Sequence, residues 1–299
     1  MPYDVTLLTE SRFEPPIPST ADGFVRKVAR EDQLVQEALE QKGLRTARFD
    51  WARPDVDWSQ TRAALFRSTW DYFHRFDEFS AWLDKVSAQT RLVNFIELVR
   101  WNMDKHYLLD LEKRGIHTPP ALYIPAGDDT TLDALHEETG WADTILKPTV
   151  SGSARHTYRL NRNNLQEHEA TFRELAARED MMLQPFQQQV VEQGELSLIA
   201  IGGQYSHAVR KVPKAGEFRV QSEFGGAVIP YQPTHEEIAF AESAVAACRP
   251  QPVYARADII RDNDGQLALM ELELIEPEMW FRLVPKAACR LAEAVAGAI

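Results

Sequence analysis

Residues 270–277 read MELELIEP, in which Glu271 and Glu273 stand two apart and Glu276 follows closely. A strand turns alternate residues to one face, so both carboxylates would look into the same space. Upstream, the alternation in VYARADII puts Tyr254, Arg256 and Asp258 together on one face. Between the runs, DNDGQ is a turn signal that would fold them into a hairpin and bring Asp258 beside the two glutamates. Like charges that close repel one another, and burying them unpaired is costly. A hard cation such as Mg²⁺, which takes oxygen ligands and shares substrate phosphates, would convert the repulsion into coordination. The competing reading is a solvated outer face of the sheet. Bulky apolar residues at the opposite parity argue against it.

Other segments offer anion-binding chemistry. Lys147 ends the apolar run TILKP, and a lysine on a buried strand is costly unless it meets an anion. The residues that follow, Ser151, Gly152 and Ser153 in TVSGSARH, are small enough for backbone N–H groups to wrap a phosphate. Lys105, in RWNMDKHYLLDL, lies on a helix whose leucines pack inward. Either lysine could instead be an ordinary surface residue. RKVPKAGEFRV…EFGG gathers Arg210, Lys211, Lys214 and Arg219, with Arg256 more distant, into a basic patch. Arg210 and Arg219, with planar forks suited to carboxylate or phosphate, are the better binding candidates there, and Gly225 and Gly226 would let backbone approach a ligand. In LFRSTWDYFHRF, Arg67, Ser68, Trp70, Asp71 and Tyr72 follow a strand whose end is a natural ligand site, although a core-filling aromatic cluster would read the same way. No G-x-S-x-G elbow, H-E-x-x-H zinc motif, P-loop or G-x-G-x-x-G is present.

The totals limit the choices. The chain has 299 residues, 44% apolar and 26% charged, which suits a globular protein with more than one compact unit. A formal net charge of -12 makes nucleic acid an improbable partner, yet leaves room for a small anion in a local basic pocket. Cys248 and Cys289 have no paired spacing, which fits a reducing compartment. MPYDVTLLTE shows no signal-peptide pattern, and no apolar run is long enough to span a bilayer, so a soluble, cytoplasmic protein with no membrane partner is expected.

The first third must position these groups by alternating strands and helices. YDVTLL, RTARFDW and AALFRS read as strands. EDQLVQEALEQKG reads as a helix ending at Gly43 with Leu34, Val35, Ala38 and Leu39 on one face, and FDEFSAWLDKV as another with Phe76, Phe79, Trp82 and Leu83 aligned. That order predicts a small, mostly parallel sheet, closed by a linker at Pro119 and Pro120. Beyond it, ALYIP, TILKP, TYRL and MMLQPF are strand-like, NNLQEHEATFRELAARE is helical, and ELSLIAIGGQYSHAVRKV reads as a hairpin about IGGQY. A helix near Glu236–Ala247 precedes the last hairpin.

Taken in order, WNMDK, ILKPTVSGSARHTYRL, LQPF…GELSLIAIGG, VRKVPKAGEFRV…EFGG and RADII…LMELELIEP resemble the ATP-grasp ligases, including glutathione synthetase-like and ribosomal-protein glutamate ligase enzymes. The likeness implies an ATP-grasp fold, α+β in class, behind an N-terminal α/β domain with a parallel sheet (a pre-ATP-grasp domain). The implied division is residues 1–100, a small lobe with the phosphate loop at 101–185, and a large lobe with the metal site at 186–299. It implies ATP and Mg²⁺ as cofactors. Lys105 and Lys147 match the lysines that contact nucleotide phosphates, and Ser151, Gly152 and Ser153 fall in the loop closing over them. Gln184 and Phe186 match the strand and hinge beside adenine, and Glu192 or Glu195 would take the ribose hydroxyls. Arg219 matches the arginine that steadies the transferred phosphoryl group, with Arg210 as a second candidate, and Asp258, Glu271 and Glu273 match the magnesium ligands. Many relatives have Glu-x-Asn where this chain has Glu271-Leu272-Glu273.

A narrower likeness, carried by FRSTWDY…FSAWL…WNMDK…ELELIEP, is to the D-cycloserine synthetase group, which cyclises O-ureido-D-serine in antibiotic biosynthesis. It implies a small-molecule carboxylate substrate; from position alone, an arginine such as Arg67 or Arg210 is expected to clamp that carboxylate, with Trp70 and Tyr72 shaping the pocket. An intermolecular carboxylate–amine ligase, a phosphotransferase that stops at a phosphorylated product and an inactive nucleotide-binding regulator are the alternatives. Relatives often form dimers or tetramers, so a homo-oligomer is an expectation.

Overall fold

The structure is a computed structural model that describes residues 1–221 and 224–299; Glu223 of the EFGG motif lies outside the described residues. Three sheets organise it. The first joins β1 (Tyr3–Thr9), β2 (Thr46–Asp50), β3 (Thr61–Ser68) and β4 (Arg91–Val93) in the order β2-β1-β3-β4, with every pairing parallel. Burial on both faces explains why β3 reads as a near-continuous apolar run. Helix α1 (Gly23–Gln41) begins well before the span predicted from periodicity, because the Asp22 side chain caps it by accepting a hydrogen bond from the Val25 N–H at 2.9 Å. It ends where Gly43 takes a positive φ of 81°. Helix α2 (Phe76–Ser87) buries Phe79, Leu83 and Val86 on the other face.

Short helices α3 (Ile96–Asn102) and α4 (Tyr107–Lys113) lead into the second sheet. Its strands β5 (Leu122–Ile124), β6 (Asp143–Pro148), β7 (Tyr158–Asn161) and β8 (Met181–Pro185) run antiparallel in the order β5-β8-β6-β7. Helices α5 (Leu132–Thr139) and α6 (Leu165–Ala176) cover one face of it, where Leu135, Leu146, Leu160 and Phe172 form a core. The alternation along β6 then decides where its lysine goes: Thr144, Leu146 and Pro148 are buried at one parity, leaving Ile145 and Lys147 on the uncovered side.

After α7 (Gln188–Glu192), the third sheet joins β9 (Glu195–Ile201), β10 (Gln204–Val212), β11 (Ala227–Tyr231), β12 (Tyr254–Arg261) and β13 (Leu267–Glu273) in the antiparallel order β11-β10-β9-β12-β13. One face packs Leu198, Ala257, Leu269 and Leu272 beneath α8 (His235–Ala246) and beside Leu108 and Leu111 of α4. The other face divides. Ile199, Ile201 and Tyr254 enter a core shared with the first sheet, α1 and the closing helix α9 (Lys286–Ala298), while the polar residues face a cleft. No helix among the described residues is long and apolar enough to cross a membrane.

Buried asparagines lock the junction. Asn94 Nδ2 donates to the carbonyls of Tyr254 and Leu274 at 2.8 and 2.7 Å, and its Oδ1 accepts from the Val253 N–H at 2.6 Å. Asn102 does the same for the end of β13, donating to the Leu272 carbonyl and accepting from the Leu274 N–H. An Asn94→Ala change strands these backbone groups without partners, which costs about 3 kcal/mol. A denaturant titration should show that loss as a lower midpoint at unchanged slope.

Candidate active site

The cleft lies between the uncovered faces of the second and third sheets and is closed at one end by the first unit; its volume is about 240 Å³. The register of the third sheet assembles its floor. Asp258 on β12 pairs with Ser197 on β9 and with Glu271 on β13, and Arg256 pairs with Glu273. A bulge beside Asp258 leaves Met270 unpaired and swings Glu271 and Glu273 to the cleft side. Ligand oxygens of Asp258, Glu271 and Glu273 all lie within 4.8 Å of one another.

Cations hold this cluster together. Arg256 donates to both oxygens of Asp258, at 3.0 and 2.8 Å, and also to Glu273. Lys211 reaches Asp258 at 3.0 Å and pairs with Glu195, and Lys105 stands 3.1 Å from Glu271. Burial alone would raise the pKa of Asp258, but Arg256 and Lys211 outweigh it and hold the group at about 2. Glu271 is lowered in the same way, with Lys105 and Lys147 overcoming burial. Glu273 goes the other way: burial, with repulsion from Asp258 and Glu271, pushes it up to about 7 against the pull of Arg256. Three carboxylates crowded so that one is forced toward neutrality form an oxygen-only donor set. That chemistry fits a hard divalent cation.

Opposite this floor, Lys147 projects from the second sheet. Burial draws its pKa down to about 8, Glu271 opposes that, and Lys105 adds to the depression. An anion in the cleft would restore its charge. Ser151, Gly152 and Ser153 form the adjoining wall, and Lys105 Nζ donates to the Ser151 carbonyl at 2.6 Å. Gln184, Phe186 and Phe218 also line the cleft. Gln184 is 3% exposed, and its Nε2 has no protein partner among the described residues, a buried donor suited to a ligand acceptor.

The residues singled out from sequence divide clearly. Lys105, Lys147, Ser151, Gly152, Ser153, Gln184, Phe186, Glu195, Arg219, Asp258, Glu271, Glu273 and Trp70 all line the cleft. Glu192 is exposed outside it and accepts from Gln189, so of the two ribose candidates only Glu195 lies in the lining. Arg210 is outside as well, with its guanidinium 4.4 Å from the Tyr231 ring centroid. The pleat of β10 turns Arg210 away and brings its neighbour Lys211 to the floor. Arg219 remains, held by Glu217 and lying 3.6 Å over the Phe224 ring.

The FRSTWDY segment is mostly scaffold. Arg67 is 2% exposed and paired with Asp32 at 3.3 Å, and Ser68 donates to the same carboxylate at 2.8 Å. Asp71 accepts from the Trp51 indole and from Arg75, and Tyr72 packs on Phe79 in an aromatic core. These residues fill and tie the first unit; of this stretch Trp70 and, just beyond it, Phe73 reach the cleft, whose lining also includes Phe24, Glu276 and Trp280. The floor cations Lys211 and Arg256 belong in sequence to the basic patch, and Arg256 also shares a strand face with Asp258. The parity shared by Arg256 and Asp258 was the signal for one of them; nothing local marked Lys211.

Comparison with known proteins accords with this geometry. Residues 5–94 match the model of the D-cycloserine synthetase DcsG N-terminal domain, and residues 105–275 match that of the RimK-like ATP-grasp domain. The chain is 31% identical over 276 residues to the cycloserine biosynthesis protein DcsG of Streptomyces lavendulae, covering 87% of this chain and 91% of that one. The crystal structure of D-cycloserine synthetase DcsG superposes with a TM-score of 0.86 at 28% identity, over 98% of this chain and 99% of that one. More distant structures share the fold. A RimK domain ATP-grasp protein from Sphaerobacter thermophilus has a TM-score of 0.68 at 17% identity, covering 99% of each chain. D-alanine–D-alanine ligase from Bacillus anthracis, complexed with ATP, has a TM-score of 0.65 at 13% identity, covering 99% of this chain and 96% of that one. The chain therefore belongs to the ATP-grasp ligases, with a RimK-like ATP-grasp domain behind an N-terminal domain of the D-cycloserine synthetase type.

Proposed function

We propose that this chain binds ATP with Mg²⁺, phosphorylates a substrate carboxylate, and closes a C–N bond within the same molecule, converting O-ureido-D-serine to D-cycloserine. The observation that carries the ligase chemistry is the convergence of Asp258, Glu271 and Glu273 on one wall of the cleft with Lys147 on the facing wall. The likeness to DcsG along nearly the whole chain, N-terminal domain included, supports the narrower substrate.

In this reading Lys105, Lys147 and the loop amides of Ser151–Ser153 hold the nucleotide phosphates, and Arg219 steadies the phosphoryl group in flight. Gln184 and Phe186 flank the base, and Glu195 is nearest in position to serve the ribose. Asp258, Glu271 and Glu273 would hold Mg²⁺, which supplies charge neutralisation on the phosphate oxygens. The carboxylate oxygen takes the γ-phosphoryl group and ADP leaves. The ureido nitrogen then attacks the acyl carbon and phosphate departs with the acyl oxygen; water takes the carbamoyl group from the ring nitrogen, leaving N–H there and releasing carbamic acid, which breaks down to CO2 and ammonia. Positioning and electrostatics do most of this work, so the reaction needs no nucleophile–base pair. Phe24, Trp70 and Trp280 give the substrate end its walls, and Glu276 offers a carboxylate to an ammonium or ureido donor.

ADP release, screened against amino acids and their O-ureido derivatives with product mass measured, should rise with O-ureido-D-serine alone and yield a ring-closed product. A requirement for two substrates would replace the cyclising reading with an intermolecular one. Glu271→Gln should lower kcat/KM by about 10³-fold, and chelation of divalent metal should stop ADP release in the unmodified enzyme. Lys147 is cationic below its pKa of about 8 and neutral above it. Nucleotide binding favours the cation, so affinity should fall by up to about tenfold per pH unit above pH 8, and Lys147→Arg should flatten that fall. Calorimetric titration across pH checks it.

A further inference from the structure

Gly152 lies in the phosphate loop, and its neighbour across the cleft comes from the first unit. A Cβ at Gly152 would stand 2.5 Å from Cε1, 3.0 Å from Cδ1 and 3.2 Å from Cζ of Phe73. Gly152 is not among the residues with positive φ, so its backbone conformation is open to any residue. Glycine is needed there because of the ring. Phe73 belongs to the 3-10 turn Tyr72–His74 that follows β3, and it is 5% exposed. Its ring packs against those of Tyr72, at 5.5 Å, and His74, at 4.6 Å, which limits its movement on those sides.

The loop beyond Gly152 is held in an uncommon shape. Ser153, Ala154 and His156 have φ of 48°, 56° and 48°, a region non-glycine residues seldom occupy and one that costs free energy unless surroundings enforce it. Several contacts enforce it from within the second sheet's lobe. Arg155 forks onto Glu179 at 2.7 and 2.8 Å, and Ser151 Oγ donates to the Arg155 carbonyl at 2.9 Å. The contact with Phe73, together with Val150 packed on the same aromatic core, is what ties the loop to the first unit.

We propose that Phe73 is a positioning residue that seats the phosphate loop in its closed geometry, with Gly152 as the notch that receives the ring. Because Trp70 and Phe73 also line the substrate end of the cleft, the seat links occupancy there to closure over the phosphates. Its consequence is exclusion of water. Under an unseated loop, water attacks the acylphosphate, breaking its acyl–oxygen or phosphorus–oxygen bond and returning the carboxylate and inorganic phosphate. Under a seated loop the intermediate survives for the nitrogen. The chemical part rests on the ligase reading; the seat does not.

Three variants test it: Phe73→Leu, which keeps apolar bulk but removes the ring edge, Gly152→Ala, and the pair together. Amide hydrogen exchange of residues 151–156, referenced to the amides of β3, reads the seat without any turnover. ADP released per ligated product, with kcat and KM, reads coupling. Phe73→Leu should speed loop exchange by about tenfold and raise the ADP-to-product ratio well above that of the unmodified enzyme. Gly152→Ala should lower kcat/KM on the order of 100-fold, and adding Phe73→Leu should recover most of that loss. A double variant no better than Gly152→Ala, or a Phe73→Leu protein with unchanged loop exchange and stoichiometry, overturns the proposal. Absence of ADP release from the unmodified enzyme would instead defeat the ligase reading, leaving the exchange data to decide the seat.

Discussion

Charge balance in a buried place governs this structure. Glu195, Asp258, Glu271 and Glu273 share the cleft with Lys105, Lys147, Lys211 and Arg256. At an effective dielectric near 20, unit charges about 4 Å apart attract by about 4 kcal/mol, while removing each ion from water costs several kcal/mol. The two effects come close to cancelling. An apolar cluster of the same volume would hold the sheets together about as well. What the charged set supplies is a fixed array of oxygen donors facing fixed ammonium groups, prepared before any ligand arrives. Lys105 shows the arrangement most plainly, since one ammonium holds both the Ser151 carbonyl of the loop and the carboxylate of Glu271.

The scaffold is built to keep that array from shifting. β13 carries two of the three clustered carboxylates and is an edge strand of its sheet, a place where backbone groups would ordinarily lack partners. Here Tyr107, Asn102 and the carbonyl of His117 meet its outer N–H and C=O groups. Tyr254, at the start of β12, places its hydroxyl 2.6 Å from the Ile275 carbonyl, beyond the strand end. The helices and the parallel sheet thus act on the site through backbone contacts to the strands that carry it. The closing helix α9 strengthens this by packing Leu291 and Val295 into the core that joins the first and third sheets.

Much of this could be read from the residues because it follows from period two. The alternation in MELEL and VYARAD puts the acids on one face, and the same rule along TILKP sends Lys147 to the uncovered side of its sheet. Other features depend on partners far away in sequence. Arg67 looked like an anion clamp at a strand end, but Asp32 of α1 claims it. Arg210 had the better chemistry and the wrong parity, and Lys211 took the place through pairs with Glu195 and Asp258. The early start of α1 hinges on a single capping carboxylate at Asp22, outside the periodic run of the helix. Nothing local to TVSGSARH announced Phe73 as its neighbour, because that contact crosses between sheets.

On the proposed reading, Asp258, Glu271 and Glu273 hold a divalent cation against the nucleotide phosphates. Crystals grown with Mn²⁺ and a non-hydrolysable ATP analogue would test it directly, by anomalous scattering. The expected result is a manganese peak coordinated by oxygens of those three residues and by the phosphates, with Lys147 on the facing wall. Ordered nucleotide with no manganese at the cluster, and the acids still bound to Arg256, Lys211 and Lys105 alone, would contradict it.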